Sequence, residues 1–114
     1  MSFWRKEVIQ PALDNETAMQ IKEQLKWIER EPNNPRPYLN LAELHRMEGR
    51  GDEALGLMLQ AVHLDPSFTA AHVALAEIYS VSGDYKAAWR HARLAQESGE
   101  PKAVAFLLRH AVPE

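Results

Sequence analysis

The chain has 114 residues, 46% of them hydrophobic and 25% charged, with a formal net charge of −3 and no cysteine. Such a length and balance point to one ordinary globular domain. The missing cysteines exclude disulfides, thiolate chemistry and Cys-based zinc sites, and the acidic balance disfavours nucleic-acid or anionic-membrane surfaces, which are met with clustered Lys and Arg.

The first residues, Met1-Ser2-Phe3-Trp4-Arg5-Lys6-Glu7, hold no apolar run of the length a signal peptide needs, and no stretch approaches a membrane span. A cytoplasmic protein is therefore expected. Residues 2–10 read as a short helix ended by Pro11. A second helix is expected near 15–30, capped by Asp14 or Asn15, with Ile21, Leu25 and Ile28 in its apolar stripe and Trp27 alongside.

Residues 35–48 follow as a helix with Tyr38, Leu41, Ala42, Leu44 and His45 on one face. Asn34 can cap it, and Pro35 and Pro37 fall in its first turn, where a missing N–H costs little. Gly49-Arg50-Gly51 breaks it. Asp52 is the expected cap of helix 53–64, in which Leu55, Met58, Leu59 and Val62 are periodic, and Asp65-Pro66 ends it. Ser67 is the expected cap of helix 69–81, with His72, Leu75, Ala76 and Tyr79. Ser82-Gly83-Asp84 is a turn. Helix 85–97 carries a small-residue row of Ala88, Ala92 and Ala95 and stops at Ser98-Gly99. Pro101 opens a last helix over 101–111 with Val104, Phe106, Leu107 and Leu108. No alternating run bounded by turns suggests a strand.

The chain repeats itself at a fixed spacing. Leu41-Ala42-Glu43 recurs as Leu75-Ala76-Glu77, Gly49 as Gly83, Ala54 as Ala88, Ala61 as Ala95, and Pro32 as Pro66. A constant period in this range marks stacked supersecondary units. The small residues sit where two antiparallel helices joined by a tight turn must approach closely.

These residues resemble the tetratricopeptide repeat family. The first unit matches through Tyr38, Leu41, Ala42, Gly49, Ala54, Ala61 and Pro66, and the second through Leu75, Ala76, Tyr79, Gly83, Ala88 and Ala95. The second departs at His72, where the family prefers an aromatic, and at Glu100, where the proline has shifted to Pro101. The resemblance implies one all-α stack of helical hairpins with about six to seven helices. Residues 1–34 would be a degenerate first repeat or N-terminal cap, 35–68 and 69–100 full repeats, and 101–111 a C-terminal capping helix.

The resemblance also implies a non-enzymatic module that binds a partner peptide or helix in a concave groove lined by first helices. The contact face would be Arg36, Leu39, Asn40, Glu43 and Arg46, then Val73, Ala74, Glu77 and Ser80, then Val104, Leu107 and Leu108. Leu39 and Val73 would supply apolar contact, while Arg36, Arg46 and Asn40 would orient a polar or acidic partner. Chaperone-binding members hold a C-terminal carboxylate with Lys, Asn and Arg. Here Asn40 fits, but the lysine positions hold Leu39 and Ala70 and the arginine position Ala74, so chaperone-tail binding is not expected.

The same residues bear on other classes. Terminal apolar residues, Phe3, Trp4, Val8 and Ile9 at one end and Phe106, Leu107 and Leu108 at the other, would support a homodimer if left uncovered. His45 and His72 lie on first helices of neighbouring units, but their offsets are aromatic packing positions, so no metal or other cofactor is expected. Arg90-His91-x-Arg93 beside Trp89 forms a small basic run that reads as a solvated helix face, with no nucleic acid expected. Gly49-x-Gly51 follows a helix and is a turn, not a nucleotide fingerprint.

Overall fold

A computed structural model describes residues 2–114, with side chains described from Asn15 onward. Six helices follow one another in the described residues: α1 (Ser2–Arg30), α2 (Pro35–Met47), α3 (Gly51–Leu64), α4 (Thr69–Ser82), α5 (Tyr85–Glu97) and α6 (Lys102–Arg109). No strand occurs among the described residues. The protein is an all-α stack of helical hairpins, in which α2 packs on α3 and α4 on α5, with α1 against α2 and α6 against α5.

The repeat is structural as well as textual. α2 and α4 begin at Pro35 and Thr69, and α3 and α5 at Gly51 and Tyr85, so both hairpins start and turn in one register. The turns match too. Gly49 sits at φ 81° and Gly83 at φ 89°, in the left-handed region that glycine enters without a Cβ clash. Just past each glycine, an N–H returns to the preceding helix: Arg50 donates to the His45 carbonyl at 2.8 Å, and Asp84 to the Tyr79 carbonyl at 3.0 Å. These bonds satisfy carbonyls that a helix end leaves free.

The core follows the same register. Leu41 and Leu75, Ala42 and Ala76, Ala54 and Ala88, and Ala61 and Ala95 are all buried pairs. Alanine at these seams lets helix axes close in, and Met58, Leu75 and Leu107 fill the space between. Truncating Leu75 to alanine would leave a cavity and cost about 2–5 kcal/mol.

The helix starts differ from expectation in three places. α1 runs unbroken from Ser2 to Arg30, with no boundary at Pro11 or cap at Asp14 or Asn15. A proline removes only its own bond to the preceding turn, and the flanking chain is rich in helix formers such as Glu16, Met19, Gln20 and Lys22. This stretch therefore holds one helix rather than a short helix followed by a second. α3 begins at Gly51 rather than at 53, with Arg50 as its cap residue and no side-chain cap bond, and Asp52 lies inside its first turn, where a carboxylate still complements the helix dipole. Ser67 does not cap α4, because its N–H and hydroxyl both bind Asp65 Oδ1, at 3.1 and 2.8 Å. Asn34 and Asp84 do cap, accepting from the Arg36 and Ala87 N–H groups at 2.9 and 3.2 Å.

α6 ends at Arg109, short of the expected 111, because Ala111 adopts a left-handed φ of 52° and reverses the chain. The tail returns over α5. The Val112 carbonyl accepts from Trp89 Nε1 at 3.2 Å, and Glu114 pairs with Arg93, whose guanidinium lies 5.4 Å from the Trp89 ring centre.

Candidate partner-binding groove

Consecutive first helices of a hairpin stack lie side by side on one face, so α2 and α4 leave a channel between them. Leu39, Ala70, Val73 and Ala74 line it with aliphatic and small side chains. Glu43, Glu77, Glu100, Lys102 and Thr69 complete the lining, around a volume of about 460 Å³. The floor is anchored in the core, since Leu39 and Ala74 are buried, while Val73 is half-buried and Ala70 exposed.

Five of the twelve residues expected on the contact face line this groove: Leu39, Glu43, Val73, Ala74 and Glu77. Arg46 holds two of them. Its Nη1 lies 3.3 Å from Glu77 Oε2 and 3.7 Å from Glu43 Oε2, so one cation bridges α2 to α4 and serves two carboxylates. The other three on α2 and α4 are engaged elsewhere. Asn40 Nδ2 donates to Gln24 Oε1 of α1 at 3.2 Å. Arg36 lies over the Phe68 ring, 4.9 Å from its centre. Ser80 Oγ donates to the Glu77 carbonyl at 2.8 Å.

The last helix contributes differently from expectation. Leu107 is fully buried and packs with Trp89, Ala92 and Ala103, and Val104 lies half-buried against the same cluster. Leu108 is exposed and away from the groove lining. Instead Glu100 and Lys102, at the entry to α6, reach the groove. Helix periodicity points only to helix faces, and in the repeat pattern Glu100 is a departure. The restart at Pro101 was the signal that this turn borders the next first helix.

The histidines go to unrelated places. His45 Nδ1 lies 3.6 Å from Glu48 Oε1 on its own helix turn, too long for a hydrogen bond. His72 of α4 is buried against His91 of α5, and Tyr79 stacks on the His91 ring at 5.6 Å. Burial first, then the charges of His72 and Arg90, push His91 down to about 4. Among the described residues, no group of three or more His, Asp or Glu side chains is arranged to hold a metal ion. The basic run on α5 is divided: Arg90 is exposed, His91 is buried, and Arg93 is taken up by Trp89 and Glu114. No described helix is long and apolar enough to cross a membrane.

No family model matches this chain, and no curated protein does.

Proposed function

We propose that the protein is a non-enzymatic, tetratricopeptide-like interaction module that receives a peptide or helix of a partner protein in the α2–α4 groove, working in the cytoplasm as a scaffold. The observation that carries this reading is the groove itself: an aliphatic floor of Leu39, Ala70, Val73 and Ala74 between polar rims, on the face formed by consecutive first helices. An apolar strip flanked by charge suits a segment that brings its own backbone hydrogen bonds and needs anchoring side chains. Leu39 and Val73 remain the apolar contacts in this reading. The orienting role expected of Arg36, Asn40 and Arg46 is weakened, since each already has a partner within the fold.

The test is a photocrosslinking amino acid placed at Ala70 in the groove and, separately, at Gln60, an exposed position on α3. A protein adduct formed from position 70 but not 60, and lost when Val73→Glu is added, supports the reading. Identical adducts from both positions would sink it.

A second reading, self-association through the ends of the stack, is favoured by one observation: Leu108 is 66% exposed on the terminal helix. Against it, the tail covers Trp89, and the neighbours Lys102 and Arg109 on α6 are exposed charges. The N-terminal residues Phe3, Trp4, Val8 and Ile9 lie outside those with described side chains. Light scattering over a concentration series separates the two readings: a monomer at all concentrations leaves the groove, and a dimer abolished by Leu108→Lys favours the ends.

A further inference from the structure

The groove has a charge character that its position does not dictate. Its lining carries three carboxylates, from Glu43, Glu77 and Glu100, against one ammonium, from Lys102. Arg46 is shared between Glu43 and Glu77, so each of those carboxylates holds half of one cation. Glu100 makes no ion pair among the described residues. The floor between them offers no charge and no aromatic ring, only Leu39, Ala70, Val73 and Ala74. A carboxylate entering this channel would meet like charge in a partly dewatered setting, where repulsion is poorly screened. A cation would meet acceptors already held in place by the Arg46 bridge, which lowers the entropy lost on binding.

We propose that the occupant is a basic, aliphatic segment of a partner protein: a Leu-, Ile- or Val-type side chain seated on the Leu39–Val73–Ala74 floor, with a neighbouring lysine or arginine held by the rim carboxylates. This rests on the groove being the partner-binding surface. The exposed Lys102 ammonium sets the complementary preference at the α6 end, where an acidic or neutral residue of the segment is better placed than a second cation. Charge pairing of this kind fixes register and speeds encounter more than it adds affinity.

The experiment pans a phage-displayed library of random short peptides against the full chain. Enriched sequences are then made as acetylated, amidated, fluorescent peptides and measured by anisotropy against the wild type, Val73→Glu, Glu100→Lys and Glu43→Lys, each first shown to retain its helical circular dichroism. The proposal expects enrichment of Lys or Arg beside an aliphatic residue, affinity that falls with added salt, and about a tenfold loss or more on reversing either rim charge. Peptides that are neutral or acidic, yet lost on Val73→Glu, would overturn the basic occupant while leaving the groove as the binding surface. Peptides indifferent to all three variants, or no enrichment at all, would overturn both. Should one rim variant fail to fold, the other and the salt dependence of the wild type still decide.

Discussion

His72 Nδ1 and His91 Nδ1 lie 2.9 Å apart, and only one placement of protons satisfies both neutral rings. His72 Nε2 is 2.7 Å from the Pro66 carbonyl oxygen, which can only accept, so that nitrogen carries the hydrogen. His72 Nδ1 is then bare and accepts from the Nδ1–H of His91. His91 Nε2 is left bare as well, buried and without a partner. A relay therefore runs from α5 through α4 to the turn after α3, and an extra proton on His91 Nε2 would be buried with no acceptor.

Acid should act on this relay. In the folded chain His91 sits near 4, against 6.5 for an unperturbed imidazole. Between those values the unfolded chain binds the proton and the folded one does not. Stability is thus full above about pH 6.5, declines as pH falls toward 4, and loses up to roughly 3 kcal/mol from this residue. The first repeat has Leu57 at the equivalent position. Melting curves from pH 4 to 7 should therefore show a shallower acid decline for His91→Leu than for the wild type, although His91→Leu starts lower because it strands His72 Nδ1. An equally steep decline in both would remove His91 as the cause. Nitrogen chemical shifts should report Nε2–H for His72 and Nδ1–H for His91.

Two opposite substitutions test the backbone at the turns. Gly83 at φ 89° should cost about 1 kcal/mol or more as Gly83→Ala, since the added Cβ is strained even though nothing crowds it. Ala111 at φ 52° already bears that strain, so Ala111→Gly should gain a few tenths to about 1 kcal/mol. Urea unfolding midpoints decide. A loss of stability in Ala111→Gly would mean the left-handed turn is not set by local geometry.

Ala61 is fully buried at the α2–α3 seam. Ala61→Leu should force the two helices apart and cost roughly 1–3 kcal/mol. An unchanged melting temperature would show that the seam lies elsewhere.

The tail makes a third kind of prediction. Trp89 is 5% exposed, and the Val112 carbonyl accepts its indole N–H. In a variant with Trp4 and Trp27 replaced by phenylalanine, deleting residues 112–114 should red-shift the remaining emission and cost about 1 kcal/mol for the lost bond. An emission maximum that does not move would mean the tail does not shield the ring.

How far the sequence carried these conclusions depended on whether a feature was local or periodic. Helix 85–97 matched to the residue, because Asp84 and Gly99 punctuate both ends and the alanine row leaves one packing face. The stack and its seams were legible because Ala42, Ala54 and Ala61 recur at the same offset. Caps were less legible, since Ser67 had two acceptable partners and chose Asp65 over the helix. The groove was legible in half its lining. Arg46 looked partner-facing from its position on the helix, but its reach crosses to Glu77, a tertiary fact that no single-helix pattern contains. His91 lies in sequence within a run that looks like a basic surface. Comparison with half-buried Leu57, its counterpart in the first repeat, would have moved it inside.

The two hairpins are closed by the same internal packing, each through a seam of alanine at the same offset. The geometry is therefore modular in the manner of a vertebral column. Copying residues 35–68 and inserting them before Thr69 would add a further hairpin, whose copy of α2 would meet α3 where the original meets α1. The channel along the first helices would lengthen by one unit while keeping its cross-section. On the proposed reading, the length of segment received is thus a quantity that duplication alone can change.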